Sequence, residues 1–208
     1  MAEQEPVVYV IDDDASIRAS IESLLRSVGH TVVTFDSTQS FLRFSRPEGP
    51  ACVVLDVRMP GASGLELQRE LTAAGSVIPI IFVTGHGDIA MSVAAMKAGA
   101  LEFLTKPFRD QDLLDAVHRG IEEDRRRSRR ELHLDALRQR YASLTSREQQ
   151  VMRMAAAGLL NKQIAAELAL SEVTVKVHRA HAMQKMQARS LPDLVRISDA
   201  LDADIPES

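Results

Sequence analysis

The chain has 208 residues, one cysteine and a formal net charge of -4, a length that suits two domains of about 120 and 60 residues better than one. The single Cys52 excludes a disulfide framework within the chain, and the absence of any apolar run of about 18 residues excludes a transmembrane helix. The N-terminus lacks the basic start and apolar core of a signal peptide, so we expect a cytoplasmic protein with no membrane partner.

Predicted strands alternate with predicted helices through the first part of the chain. Short apolar runs, typical of strands buried on both faces of a parallel sheet, lie at residues 7–11, 30–35, 52–55, 80–83 and 102–105. Apolar residues at helical spacing occupy the intervals between them. This alternation predicts an α/β fold with a doubly wound, five-stranded parallel sheet.

Polar side chains end four of these strands. Asp12 and Asp13 follow the first strand, Asp56 the third, Thr84 the fourth and Lys106 the fifth. The carboxyl ends of parallel strands meet at one edge of the sheet, which is where ligands bind. A lone aspartate at a strand end is more often a helix cap than a catalyst, but four matching strand ends favour a site.

These strand-end residues suit phosphoryl transfer to an aspartate. Mg²⁺, or Mn²⁺ in its place, prefers oxygen ligands; Asp13, Asp56 and the backbone carbonyl just beyond Asp56 would supply them, with support from Asp12. Asp56 would act as the nucleophile, Lys106 would neutralise charge on the phosphoryl oxygens, and Thr84 would donate a hydrogen bond to one of them. Because clustered carboxylates repel one another, we expect strain in this pocket until a cation binds.

A charged segment separates the two parts of the chain. A helix begins near Asp110 and leads into residues 123–142, which contain no Pro or Gly and are rich in good helix formers. We expect a largely solvated helical linker there rather than a flexible coil. The predicted division is therefore a first domain at 1–122, a linker at 123–142 and a second domain at 143–208.

Four helices with recognisable starts occupy the second domain. Thr145 and Glu148 form a capping box ahead of the first, and Asn161, Ser171 and Ser190 are the expected N-caps of the other three. A tight corner joins the second and third helices, as in a helix-turn-helix. The prediction is a small all-α, four-helix domain.

Positive charge accumulates in the rear of the chain. Residues 1–123 hold 10 Lys+Arg and 18 Asp+Glu, whereas residues 124–208 hold 15 and 11. Over residues 141–190 there are 7 Lys+Arg against 3 Asp+Glu. A basic surface on a helix-turn-helix indicates double-stranded DNA as the partner.

The third helix of the rear domain would enter the major groove. Its outward face is expected to carry Lys176, Val177, Ala180 and His181, since lysine can reach guanine acceptors and valine a thymine methyl. Other apolar residues of the domain are assigned to its core; they are Val173, Val175 and Met183.

With these residues in this order, the whole chain resembles a two-component response regulator. It has the motifs of a CheY-like, flavodoxin-like receiver domain and of a LuxR-type helix-turn-helix, and is most similar to the FixJ subgroup of the FixJ/NarL family. The receiver motifs are Asp12–Asp13 and residues 56–61, 83–88, 97–100 and 106–108. The LuxR-type motifs are residues 144–148, 158–165 and 171–178.

The resemblance assigns roles in the receiver. It implies that Asp56 is the phosphoacceptor, that Asp13, Asp56 and the carbonyl of Arg58 hold Mg²⁺, and that Thr84 and Lys106 contact the phosphoryl group. It also implies a cis Lys106–Pro107 peptide. Arg58 and His86 would tune loss of the phosphoryl group. Phe103 would be the switch aromatic, and the dimer face would include Val93, Met96 and Lys97.

The resemblance also assigns DNA contacts. Lys162, Thr174 and Arg179, with the helix N-terminus at Asn161, would mostly hold phosphates. The full set implied is Asn161, Lys162, Thr174, Lys176, Val177, His178, Arg179, Ala180 and His181.

The expected function is that of a phosphorylation-activated transcription factor rather than an enzyme acting on other molecules. A sensor histidine kinase would phosphorylate Asp56, and the resulting homodimer would bind promoter DNA and recruit RNA polymerase as an activator. A phosphatase would need a second carboxylate two residues after the nucleophile, where Arg58 stands. A ligand-sensing LuxR-type regulator would need an aromatic-rich pocket, and the chain has no Trp. A receiver that works unphosphorylated stays open as a third reading.

Overall fold

The structure is a computed structural model that describes residues 5–47, 49–85 and 89–202. The chain divides into two compact units, Met1–Ser128 and Arg129–Ser208. Within the described ranges, every helix is either too short or too polar to cross a membrane.

The first unit is built on a parallel sheet, as predicted. Its strands are β1 (Val7–Ile11), β2 (Thr31–Phe35), β3 (Ala51–Asp56), β4 (Ile80–Thr84) and β5 (Glu102–Thr105), in the order β2-β1-β3-β4-β5. Its helices are α1 (Ala15–Ser27), α2 (Thr38–Arg43), α3 (Gly64–Ala73), α4 (Ile89–Lys97) and the first part of α5 (Asp110–Ala142), a helix whose residues after Ser128 belong to the second unit. This is the doubly wound α/β arrangement, with strand order reversing beside β1.

Both faces of the sheet are buried, which explains the continuous apolar runs. Alternate residues of a strand point to opposite faces. Tyr9 and Ile11 of β1 pack into one core with residues of α2 and α3, whereas Val8 and Val10 pack into the other with residues of α1 and α5.

Helix α4 is attached to the sheet by little apolar surface. Among its residues only Ala95 is buried, although the helix is mostly apolar. Its C-terminal end is held by Gln68 of α3, whose side-chain amide donates to the carbonyls of Ala95 and Ala98, both at 3.2 Å. The Ala95 carbonyl also accepts from Ala100 N at 3.0 Å, so Gln68 adds a side-chain hydrogen bond from α3 to a helix end that the backbone already closes.

Helix α5 extends the first unit beyond the predicted limit at residue 122. Asp124 was expected in a solvated linker, but it is buried, and its Oδ2 accepts a hydrogen bond of 2.8 Å from the backbone N–H of Ala51. This N–H belongs to the first residue of β3. The unit therefore continues to Ser128.

The second unit contains α6 (Ser146–Ala156), α7 (Asn161–Leu168), α8 (Glu172–Met186) and α9 (Leu191–Asp202). The capping box of Thr145 and Glu148 is confirmed in both directions. Ser171 caps α8 by accepting from Thr174 N at 3.1 Å, and Ser190 accepts from Asp193 N at 3.3 Å ahead of α9.

The predicted N-cap at Asn161 is wrong. Leu160 occupies the N-cap position of α7, and its backbone N–H donates to Gln163 Oε1 at 2.8 Å. The Asn161 side chain is used elsewhere, since its Oδ1 accepts from Arg179 Nη1 of α8 at 3.2 Å. Asn161 thus joins two helices instead of starting one.

The corner between α7 and α8 contains a strained residue. Ala169 has φ 54° and ψ 43°, a left-handed conformation that costs an L-amino acid with a Cβ about 1–2 kcal/mol. The conformation ends α7 and turns the chain towards Ser171, the cap of α8.

Candidate functional site

Strand register brings the acidic residues of the first unit together. Ile11 pairs with Leu55, so Asp12 and Asp56 each stand one residue further along neighbouring strands. Carboxylate oxygens of Asp12, Asp13 and Asp56 all lie within 4.8 Å of one another. Asp12 is buried, Asp56 is half-buried and Asp13 is exposed, so the group opens to solvent on one side. The predicted acidic group is therefore present, with an oxygen donor set that suits Mg²⁺.

The three acids after β1 have different surroundings. Asp14 caps α1, accepting from the N–H groups of Ser16 and Ile17. Asp12 Oδ1 accepts from Asp14 N at 2.9 Å, and burial raises the Asp12 pKa even though Lys106 opposes this shift. Asp13 and Asp14 are both exposed, whereas Asp12 is buried.

Lys106 lies against two of the carboxylates. Its Nζ is 2.7 Å from Asp12 Oδ2 and 3.4 Å from Asp56 Oδ2. Carboxylate repulsion is expected to strain this pocket until a cation binds, and the ammonium group of Lys106 offsets part of the negative charge. The Lys106–Pro107 peptide is cis, as expected, and Lys106 N donates to Thr84 O at 2.8 Å. The backbone of β4 therefore helps to place the lysine.

Asp56 remains partly accessible while both carboxylate oxygens have partners. Oδ2 faces Lys106, and Oδ1 accepts from the backbone N–H of Arg58 at 3.2 Å. Helix α3 begins directly behind this residue, where Gly64 N donates to Val57 O at 2.9 Å. A Cβ at Gly64 would lie 2.3 Å from the Asp56 carbonyl oxygen, so the close approach requires a glycine.

The other predicted receiver residues are distributed around this group. Thr84 is buried at the end of β4. Phe103 is half-buried and neighbours Phe82, with ring centroids 6.2 Å apart. The proposed dimer face on α4 is exposed at each predicted residue, which are Val93, Met96 and Lys97. Arg58 is exposed, and His86 lies outside the described residues.

In the second unit, α8 presents a solvent-exposed face. Four of the predicted DNA contacts on this helix are exposed; they are Lys176, Val177, Ala180 and His181. Lys162 of α7 is exposed as well. The remaining predicted contacts are half-buried; they are Asn161, Thr174, His178 and Arg179. Since Arg179 binds Asn161, these two side chains also fix α7 against α8.

The assignment of Val173 to the core is wrong. This residue is 71% exposed, whereas Val175 is fully buried and Met183 packs partly into the core. At 3.6 residues per turn, Val173 lies roughly 200° around the helix from Val175. Helical phase could therefore have placed Val173 on the outer face from the sequence alone.

Glu148 has a role beyond the capping box. Its carboxylate is buried and lies 2.6 Å from Lys185 Nζ and 3.6 Å from His181 Nδ1, both on α8. The hydrogen bond from Lys185, assisted by the backbone of Thr145, lowers the pKa of Glu148 to about 2. Sequence reasoning missed this ion pair because its members are far apart in the chain.

Comparisons with known proteins match both units. The response regulator receiver domain family matches residues 8–118, and the luxR family of bacterial regulatory proteins matches residues 142–198. Nodulation protein W of Bradyrhizobium diazoefficiens is 52% identical over 96% of this chain and 88% of that protein. Transcriptional regulatory protein FixJ of the same organism is 46% identical over 92% of this chain and 93% of that protein. The solved structure of response regulator StyR is 53% identical, with a TM-score of 0.85, over 94% of this chain and 99% of StyR.

Proposed function

The chain belongs to the response regulators that carry a receiver domain and a luxR-family DNA-binding domain, and from this we propose that a sensor histidine kinase controls it through phosphorylation of Asp56. The observation that carries the proposal is the half-buried Asp56 carboxylate beside Asp12, Asp13 and Lys106. No other group of three metal-binding side chains occurs within the described ranges.

Asp56 is the nucleophile of the proposed reaction. One carboxylate oxygen attacks phosphorus, a P–O bond forms, and the P–N bond to the kinase histidine breaks so that the imidazole leaves. Lys106 Nζ already lies 3.4 Å from Asp56 Oδ2, where it would neutralise charge on the new phosphoryl oxygens. Thr84, at the end of the neighbouring strand, would donate a hydrogen bond from its hydroxyl to one of those oxygens. The receiver catalyses this transfer and the later hydrolysis on itself alone.

Mg²⁺, or Mn²⁺, fits the oxygen-rich group. Asp13, Asp56 and the carbonyl of Arg58 would hold it, with Asp12 in support. When bound, the cation supplies positive charge against the phosphoryl oxygens. Asp13 is well suited to this role because it is the exposed member of the three acids.

Phosphorylation would change the surface of α4. The phosphoryl group adds about 1.5 to 2 negative charges at Asp56. Movement of Thr84 towards it would leave space for Phe103, which already packs at the edge of the core. We propose that this shift favours a homodimer through Val93, Met96 and Lys97. Changing a two-state equilibrium from 1:99 to 99:1 takes about 5.5 kcal/mol.

The dimer would present two copies of α8 to promoter DNA. The exposed Lys176, Val177, Ala180 and His181 would read bases, and Lys162, Thr174 and Arg179 would hold phosphates. Recruitment of RNA polymerase would follow, with activation of transcription as the outcome. With promoter DNA and RNA polymerase as its partners, the protein would act in the cytoplasm.

The test is phosphorylation by acetyl phosphate with Mg²⁺, followed by sedimentation to measure mass. Wild type should gain a base-labile phosphate and shift towards dimer, whereas Asp56→Ala should do neither. Asp199→Ala, which removes an exposed carboxylate from α9, is the matched control and should behave as wild type. Phosphate on Asp56→Ala, or a phosphorylated wild type that stays monomeric, would contradict this activation route.

A further inference from the structure

An apolar stripe runs along the exposed face of α8. Val173 is 71% exposed and Val177 is 46% exposed, and Ala180 follows them on the same face. At 3.6 residues per turn, these three positions lie within about 60° of one another, opposite the buried Val175 and Ala182. The solvent face of a helix ordinarily carries polar side chains, so this stripe is unusual.

Polar side chains border the stripe. Lys176 lies on one side of it and His181 on the other, and both are exposed. Glu148, the carboxylate of α6, is buried and paired with Lys185, and the exposed Glu172 lies at the start of α8, ahead of the stripe. An apolar centre with a lysine at one edge and an imidazole at the other is complementary to the major groove, where methyl groups lie between two rows of phosphates.

We propose that Val173 is a specificity-determining residue which, with Val177, contacts thymine methyl groups in the major groove. The inference rests on the proposed DNA-binding role of this unit and adds a residue and a ligand chemistry to it. The C5-methyl of thymine is the apolar group by which the major groove edge of an A·T pair differs from that of a G·C pair. Valine carries no donor or acceptor, so a methyl is the base feature that it can recognise.

The geometry also predicts a spacing. Four residues of helix advance about 6 Å, whereas successive base pairs are about 3.4 Å apart. Val173 and Val177 should therefore contact methyl groups about two base pairs apart. Removal of one contacted methyl should weaken binding about fourfold, which corresponds to about 0.8 kcal/mol for one buried apolar carbon.

The experiment uses the full chain, treated with acetyl phosphate and Mg²⁺, and duplexes enriched from a random-sequence pool. Each thymine of the enriched site is replaced in turn by deoxyuridine, which removes the C5-methyl alone. Affinities are measured by fluorescence anisotropy at one fixed ionic strength, because phosphate contacts make them salt-dependent. Wild type should lose about fourfold in affinity at two thymine positions of each half-site, separated by about two base pairs.

Two variants identify the residue that makes the contact. Val173→Ala should abolish the thymine preference at one of these positions and retain it at the other. Leu160→Ala is the matched control, since it truncates another exposed aliphatic side chain of the same unit, outside α8, and should retain both preferences. Because Val173 is exposed, its truncation should leave the melting temperature unchanged.

Three results would overturn the inference. Wild type would bind all deoxyuridine duplexes as tightly as the parent, or Val173→Ala would keep both preferences. Alternatively, Val173→Ala would change the sedimenting mass without changing either preference, which would make the stripe a protein contact. If wild type enriches a defined DNA site and one of these three results is also obtained, the inference about Val173 fails but the proposed function does not. If wild type enriches no duplex at all, the proposed function fails and the inference fails with it.

Discussion

Gly64→Ala should distort the phosphoryl-transfer site from behind. The added Cβ would lie 2.3 Å from the Asp56 carbonyl oxygen, 3.0 Å from Leu55 Cγ and 3.1 Å from Phe82 Cε1. The first of these atoms belongs to the backbone of a central strand, so no rotation of a side chain relieves the contact. Either α3 or the end of β3 has to move.

The expected cost is about 3 kcal/mol, the upper end of the range for overpacking a core. For a unit of this size, it corresponds to a fall of roughly 10 °C in melting temperature. Displacement of the Asp56 backbone would also separate its carboxylate from Lys106, which is 3.4 Å away in the native site. Phosphorylation by acetyl phosphate should therefore slow as well.

Thermal melts followed by circular dichroism, together with the rate of phosphate uptake, measure both effects. Gly85→Ala is the matched control, because Gly85 also adjoins the site but a Cβ there meets nothing within 4 Å. It should melt at or slightly above the wild-type temperature. If Gly64→Ala melts with wild type and takes up phosphate at the same rate, the steric argument for Gly64 is refuted.

Two further predictions concern the second unit. Ala169→Gly should stabilise it by up to about 1 kcal/mol, because relief of left-handed strain exceeds the greater unfolded-chain entropy of glycine, and a lower melting temperature would contradict this. The pKa of Glu148 lies below its usual 4.5, so its ion pair contributes stability above about pH 4.5 that is lost as the pH falls towards 2. Lys185→Met should therefore reduce the fall in melting temperature between about pH 5 and pH 3, and an unchanged slope would show that Lys185 is not the cause.

The sheet and the acidic site were predictable because burial on both faces leaves a simple pattern. A strand such as Cys52–Leu55 reads as one apolar run, and the first polar residue after it marks the edge where ligands bind. Strand order then places Asp12 beside Asp56 with little freedom. The apolar pattern does not predict which side chains pair with one another, and the ion pair of Lys106 with Asp12 is an example.

Other predictions were wrong because they concern side chains whose partners are distant in the sequence. Asp124 stands in a run of charged residues, which predicts a solvated side chain. Its carboxylate instead accepts a hydrogen bond from the N–H of Ala51, 73 positions earlier in the chain. Asn161 is a good capping residue by type, but Arg179 takes up its side-chain oxygen. Val173 differs, since its place roughly 200° around α8 from Val175, a buried residue, already pointed it outward.

Helix α4 buries little of its surface, and this lowers the free energy needed to move it. Ala95 is the buried residue of α4, and Gln68 hydrogen-bonds to the C-terminal end of the helix. The helix therefore loses few apolar contacts when it shifts or frays. Regions with few buried contacts open locally at free energies well below that of global unfolding. The proposed dimer face thus lies on the helix of the receiver that can be remodelled without disturbing the sheet, so signalling need not compete with the stability of the fold.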